Sequence, residues 1–433
     1  MRSRQQGKCS KIAAALTIIF TAGVLAGCAT APDSAHDRAS PTGQHWVASW
    51  GTAQLVPEAA NELPAASWRD ASMRQIVHLS LGGRQVRVRL TNVFGTAPLL
   101  VNAASVARAP GPGRADIDVA TLQALTFDGR RAVTIPAGAE YYSDPVAIEL
   151  PAGADLAISL HFPAEPARQT SHSGARTNSF LIAGNRTADA TWPGAAKVAR
   201  WFSIADVDVL APHTAGALVA IGDSITDGYG VTTDGNNRWT DVLAARLRQD
   251  GMALGVVNAG IGGGRMLKDG LGPNLVSRFE RDVLARAGVT HALVLIGVND
   301  LGGLHRNTPD LPGDRQQLLA DLRLAHRQLA IRARERGICL IGATVTPYVG
   351  SDYYHPEPAN EADRQELNAW IRTSGVFDAV VDFDAALRDP AQPQRMAPQY
   401  DSGDHLHPSL AGYRAMAEAV PLTLLRQSCR SRP

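Results

Sequence analysis

The chain has 433 residues, 45% apolar and 19% charged, with 42 Lys and Arg against 41 Asp and Glu. That length exceeds one compact core, and the composition excludes a disordered or coiled-coil chain. The near-neutral balance excludes a general electrostatic attraction for nucleic acid, so none is expected as a partner; a globular enzyme or binding protein remains. The first 28 residues read as a targeting segment: Arg2, Arg4, Lys8 and Lys11 precede an apolar run from Ile12 to Gly27 that ends in small residues. The run is shorter than the ~20 residues a spanning helix needs. Removing these four basic residues leaves 38 against 41, a net charge of −3.

The end of the run, Leu25-Ala26-Gly27-Cys28, resembles the lipobox of bacterial lipoproteins. The resemblance implies cleavage before Cys28 and lipidation of that thiol, and Ala29 in place of Asp implies the outer membrane. An ordinary signal peptide with a chance Cys is the alternative. Residues 29–44 read as a flexible tether, with an end-to-end distance on the order of 20 Å. With Cys9 removed and Cys28 acylated, Cys339 and Cys429 are the thiols left to the exported body, and an oxidising compartment makes them a candidate disulfide.

Residues 45–211 carry a period near two. In Arg84 to Asn92, Val86, Val88 and Leu90 alternate with Arg87, Arg89 and Thr91, a strand with one wet face. Gly82-Gly83 after the run Gln75 to Leu81 predicts a hairpin. Further strands are expected at 99–107, 132–135, 146–150, 156–162, 179–183 and 201–209, between turns of which two share Pro-Ala-Gly-Ala, at Pro136 and Pro151. The whole predicts an antiparallel, jelly-roll-like β-sandwich. Trp50, Trp68, Tyr141, Tyr142, Trp192 and Trp201 fit either its core or a carbohydrate platform, and His161 and His172 have no ligand spacing.

Residues 212–433 alternate differently. Strands at 217–221, 254–258, 291–296, 338–344 and 379–383 are separated by helices at 238–249, 275–287, 314–336 and 362–372, with a last helix at 409–426. This predicts a parallel, doubly wound sheet. Leu318, Leu322, Ala325 and Leu329 give the long helix its apolar face. Cys339 opens the fourth strand and Cys429 follows the last helix, so both are expected at the face opposite the strands' carboxyl ends. A bridge needs Cα atoms about 5.5 to 6 Å apart.

Ligands bind at those carboxyl ends. There the sequence puts Gly222-Asp223-Ser224, then Asn258 to Gly263, then Gly297-Val298-Asn299-Asp300, and Asp404-His405-Leu406-His407-Pro408 before the last helix. Singly, Ser224 reads as a helix cap, the glycine run as a loop or phosphate cradle, Asn299 as a turn cap, and Asp404, His405 and His407 as the start of a metal site. No further pair has zinc spacing, so no metal is expected. Together they supply acyl transfer: a hydroxyl (Ser224), a base (His407), a carboxylate to orient it (Asp404) and oxyanion donors on Ser224, Gly263 and Asn299.

These four blocks, in order over about 185 residues, resemble the SGNH (GDSL-type) hydrolases. The resemblance implies a flavodoxin-like three-layer α/β/α domain, a Ser224-His407-Asp404 triad, no cofactor, and an esterase, lipase, thioesterase or carbohydrate-deacetylase activity. Trp46-Val-Ala-Ser-Trp50, Arg74-Gln-Ile-Val-His78 and Gly82-Gly83-Arg84 resemble the β-domain of secreted arylesterases and acylhydrolases, although Gly264 stands where many of these have Asn. The expected partners are an ester, small or polymeric, and a membrane through the lipid anchor. A non-catalytic carbohydrate-binding lipoprotein is the reading from another class, and Tyr348, Tyr353 and Tyr354 are expected near the pocket.

Overall fold

The computed structural model describes residues 43–304, 306, 311–426 and 429. The targeting segment, Cys28 and nearly all of the expected tether lie outside them; Gln44 already begins the first strand, Gln44–Gly51. Among the described residues no helix is long and apolar enough to cross a membrane.

The first half is antiparallel β. One sheet runs Gln44–Gly51, Ile204–Pro212, Gly83–Thr91, with Glu140–Tyr142 and Val146–Leu150 both paired to the last. A second runs Ala196–Val198, Ser179–Ala183, Ala71–His78, Asp155–Phe162, Ala103–Ala109, Gln123–Ala124. On Gly83–Thr91, Val86, Val88 and Leu90 are buried as the alternation predicts, but the other face is not wet: Arg89 and Thr91 are buried too, because the second half covers them, and Arg87 meets Asp208 at 2.9 Å and lies over Tyr142. In both Pro-Ala-Gly-Ala turns the glycine, Gly138 or Gly153, takes a positive φ and the closing N–H of Ala139 or Ala154 returns to the proline carbonyl.

The expected hairpin across Gly82-Gly83 does not form. Ala71–His78 pairs with Asp155–Phe162 and Ser179–Ala183, whereas Gly83–Thr91 pairs in the other sheet, so the link is a corner between sheets. Neither glycine has a positive φ. Close approach explains them instead: a Cβ on Gly82 would sit 2.6 Å from Leu150 O and Ala152 N. Trp50, Trp68, Trp192 and Trp201 are buried, Trp50 edge-on to Trp201 at 4.9 Å and Trp68 against Phe162 and Phe202, so these four are core. Tyr141 is exposed, and His161 is buried against Asp70.

The second half is a five-stranded parallel sheet ordered Leu254–Gly260, Gly216–Gly222, Val289–Leu295, Cys339–Ala343, Ala379–Val381. In chain order that is 2-1-3-4-5, the flavodoxin-like arrangement, with its switch point between the first and third strands. Gly216–Gly222 is buried throughout, as a strand covered on both faces must be. Helix Asp314–Glu335 packs through Leu319, Leu322, Ala325, His326 and Leu329; Leu318, expected on that face, is only half-buried because the stripe is centred one position on. Cys339 and Cys429 are joined as a disulfide, with Cα atoms 5.2 Å apart.

The two halves share a polar seam. Helix Leu275–Phe279 runs into a π-helical turn, Glu280–Leu284, and these with the residues just after them carry Arg278, Arg281 and Arg286. Arg286 donates to Thr52 O (2.8 Å), Ala205 O (2.9 Å) and the Asp206 carboxylate, which Arg89 also meets. Arg278 donates to Gly222 O (2.8 Å), Ala259 O (2.7 Å) and Asp282 (3.1 Å). Arg286→Met therefore leaves buried acceptors unpaired and is expected to lower unfolding stability by about 3 kcal/mol in a urea melt. The exposed pair Arg114 and Asp116 is the control, and Arg114→Met should move stability by less than about 0.5 kcal/mol.

Candidate active site

Strand Gly216–Gly222 delivers Asp223 and Ser224 at the start of a single helical turn, Ser224–Asp227. Asp223 is the N-cap, its carboxylate accepting from Ile225 N at 2.9 Å. As first helical residue, Ser224 keeps an N–H with no intrahelical acceptor. Arg278 fixes the preceding carbonyl, Gly222 O, so the turn that aims Ser224 is held from below. Burial pushes the Asp223 carboxyl up to about 7, with the neighbouring Asp300 adding to the shift and the Ile225 N–H opposing it.

The segment before the last helix brings the other two members. Ser224 Oγ lies 2.8 Å from His407 Nε2, and His407 Nδ1 lies 2.6 Å from Asp404 Oδ2. The other Asp404 oxygen accepts from Leu406 N (2.9 Å), His407 N (2.8 Å) and Ser402 Oγ (2.9 Å). Partial burial pushes the Asp404 carboxyl up, but the His407 ring and these backbone N–H groups outweigh it and hold the carboxyl well below the usual range. It is therefore ionised throughout the neutral range, and the Nδ1 proton is the one donated to it. His405 does not join the group: it has φ +57 and pairs with Asp401 at 2.5 Å.

The oxyanion candidates face the same cleft of about 980 Å³, which is lined by Ser224, Gly263, Asn299, His407 and Asp404. Gly263 has φ +66, a conformation that favours glycine. Asn299 is the second residue of helix Val298–Gly303, which follows the third strand. One hydrogen of its Nδ2 donates to Gly264 O at 2.7 Å, which leaves the other for a ligand. Asp300 accepts from Met266 N (2.9 Å) and Leu267 N (3.3 Å) and so ties the segment just after the glycine loop to helix Val298–Gly303. Burial drives its carboxyl up to about 6, against the pull of those two N–H groups.

Three contacts here have no signature in the sequence. Tyr229 packs on His407, ring centroids 4.1 Å apart. His172, from the β-rich half, bridges Ala53 O (2.7 Å) and Asp227 Oδ1 (2.9 Å), tying that half to the Ser224 turn. Tyr354 donates its hydroxyl to Asn299 Oδ1 at 2.6 Å. Tyr353 and Tyr354 line the cleft as expected, whereas Tyr348 is buried away from it.

Tyr354 orients the Asn299 amide so that nitrogen, not oxygen, meets the cleft. Burial raises its phenol above the ordinary range, so it stays a donor. Tyr354→Phe is expected to cost any reaction that draws on the Asn299 donor about 10-fold in kcat with KM nearly unchanged, the size of one lost positioning hydrogen bond.

Residues 220–415 match the model of the GDSL-like Lipase/Acylhydrolase family. Comparison with curated proteins gives no match. Among solved structures, the chain is similar to an acetylxylan esterase from Geobacillus stearothermophilus, at 23% identity over 51% of this chain and 99% of that one, TM-score 0.36. It is similar also to a lipase/acylhydrolase from Enterococcus faecalis, at 18% identity over 47% and 92%, TM-score 0.36. A GDSL-like lipase from Bacteroides thetaiotaomicron matches at 18% identity over 48% and 87%, TM-score 0.35. Residues 220–415, which match the GDSL-like Lipase/Acylhydrolase family model, thus hold most of the parallel sheet and the residues gathered at its carboxyl edge, behind an antiparallel β-rich half.

Proposed function

We propose that the chain is a serine hydrolase of carboxylic esters, acting on acetyl or other short acyl groups carried by a carbohydrate or aryl alcohol. One observation carries the reading: the unbroken hydrogen-bonded line from Ser224 Oγ through His407 to Asp404, at 2.8 and 2.6 Å, opening into a cleft that also holds Asn299 and Gly263. Ser224 Oγ attacks the ester carbonyl as its proton passes to His407 Nε2. The oxyanion takes hydrogen bonds from the N–H groups of Ser224 and Gly263 and from Asn299 Nδ2. His407 then returns the proton to the departing alkoxide, which leaves an acyl-Ser224 ester. Water, deprotonated by His407, cleaves that ester and regenerates the enzyme. Asp404 keeps His407 in the tautomer whose Nε2 accepts.

A panel of acetylated xylan, short aryl esters, long-chain esters and an acyl-CoA tests the substrate class. The proposal expects the highest kcat/KM among the first two and fails if long-chain esters or the thioester lead. We place the enzyme on the outer membrane, through acylation of Cys28; this part rests on the Leu25 to Cys28 sequence alone. Metabolic labelling with palmitate should mark the wild-type chain and spare Cys28→Ser.

A further inference from the structure

The β-rich half contributes a wall of the cleft, built from the segment 172–176. The segment is clamped to the catalytic half on several sides. His172 bonds Asp227, Arg238 donates to Ala175 O, and Asp234 N donates to Arg176 O at 2.9 Å. The Asp234 carboxylate then accepts from both Asn178 N and Asn178 Nδ2, at 2.7 and 2.5 Å. Gly174 lies so close to the Ser224 turn that a Cβ there would fall 2.0 Å from Asp227 Oδ2. The clamp holds Arg176 at φ +48, a left-handed conformation that is costly for a long side chain and persists where the surroundings enforce it.

That enforced residue lines the cleft. Arg176 Nε and Ser173 Oγ are shielded from solvent yet have no hydrogen-bond partner among the described residues, and Arg265 Nε, across the glycine loop, is in the same condition. Buried donors are normally satisfied, and leaving them open is destabilising. The carboxylates lining the cleft do not satisfy them. Asp227 and Asp404 are taken by His172 and His407, and Glu58 and Asp352 stand exposed.

Arg176 also has a side. Its guanidinium lies 5.2 Å from the centroid of the Tyr229 ring, and Tyr229 packs on His407. His407 must reach the leaving oxygen to protonate it, so the alcohol part of the ester departs along this side. We propose, resting on the ester-hydrolase reading above, that Arg176 and Ser173 form a subsite for a carboxylate on the alcohol part of the substrate. The preferred esters are then acylated hydroxy acids, such as an acidic sugar or a carboxylated phenol. A guanidinium fork and a hydroxyl meet a carboxylate with charge-assisted hydrogen bonds, which a neutral alcohol does not offer.

The test compares 4-acetoxyphenylacetate with its methyl ester, which share an acetyl group and a phenol whose reactivity the methylene insulates from the charge. The full chain is expected to show a kcat/KM ratio, carboxylate over methyl ester, of about 10 to 100 at low ionic strength, residing in KM and shrinking with added salt. Arg176→Met should bring the ratio to within about 3-fold of one, Arg176→Lys should keep part of it, and Ser173→Ala should lower it by less than Arg176→Met does. A wild-type ratio near one overturns the subsite, and so does a high ratio that survives Arg176→Met. The wild-type ratio and its salt dependence decide the matter even if a variant fails to fold. Ser224→Ala separates the two readings: methyl ester turnover that persists in this variant overturns the ester-hydrolase mechanism and the subsite with it, whereas turnover lost in Ser224→Ala with a wild-type ratio near one removes the subsite alone. Hydrolysis of neither ester by the wild type overturns both.

Discussion

Ser224→Ala is expected to lose about 10⁵- to 10⁶-fold in kcat on a short-acyl p-nitrophenyl ester, the loss associated with removing the nucleophile from a unit whose members act together. The structural cost should be small. The hydroxyl bonds His407 Nε2, and without it the ring keeps its bond to Asp404 while Nε2 faces a cleft open to water. Thermal unfolding should therefore move by no more than a few degrees, and the circular dichroism spectrum should not change. Initial rates of nitrophenolate release, with a melt on the same preparation, check both halves of the expectation. A loss under about 10-fold would show that another group performs the attack.

Asn299→Ala is expected to lower kcat by about 10²- to 10³-fold with a much smaller change in KM, because in the proposed mechanism its free Nδ2 hydrogen serves the oxyanion rather than the ground-state carbonyl. The substitution also removes the donor to Gly264 O and the acceptor of the Tyr354 hydroxyl, so Asn299→Asp is the sharper variant. It keeps an acceptor for Tyr354 and puts an oxygen where the donor stood. A loss at least as large as for alanine is expected. Near-wild-type kcat in Asn299→Asp would show that the amide donates nothing to the transition state.

The carboxyl edge of the parallel sheet was legible because each strand there is an unbroken apolar run that gives way at once to glycine and polar residues. The runs before Gly222-Asp223-Ser224 and Gly297-Val298-Asn299 are short and apolar and end at glycine, which reads as buried strands, and the residues just after a buried parallel strand stand at the ligand edge. Asp404 and His407 were legible through their three-residue spacing and the proline that starts the next element. Most of the longer strands of the β-rich half were legible too, but Gln44–Gly51 and the short Glu140–Tyr142 and Ala196–Val198 were not, the run 99–107 breaks into two strands, and the partners were not legible at all. Period two says that a strand has a wet face and a dry one, and it does not say which strand lies beside it. Gly82-Gly83 therefore read as a hairpin turn, when the glycines serve a close crossing over Leu150 and Ala152 between two sheets.

Arg278 and Arg286 were hidden for another reason. In the helical pattern of 275–287 they look like a solvated face, yet both are buried, because carbonyls at the sheet edge and carboxylates from both halves receive them. That pairing is a product of the tertiary fold. The same holds for Tyr229 on His407, Tyr354 on Asn299, and the 172–176 wall. Each joins a site residue to a segment distant from it along the chain, through packing that no spacing encodes.

The central claim is that Ser224 is the nucleophile. Its most direct test is mass mapping after treatment with a fluorophosphonate, which phosphonylates an activated serine and releases fluoride. A single adduct on the peptide containing Ser224, formed in step with loss of activity and suppressed in His407→Ala, is the predicted result. An unmodified Ser224 in fully inactivated protein, with the adduct on another residue, would contradict it.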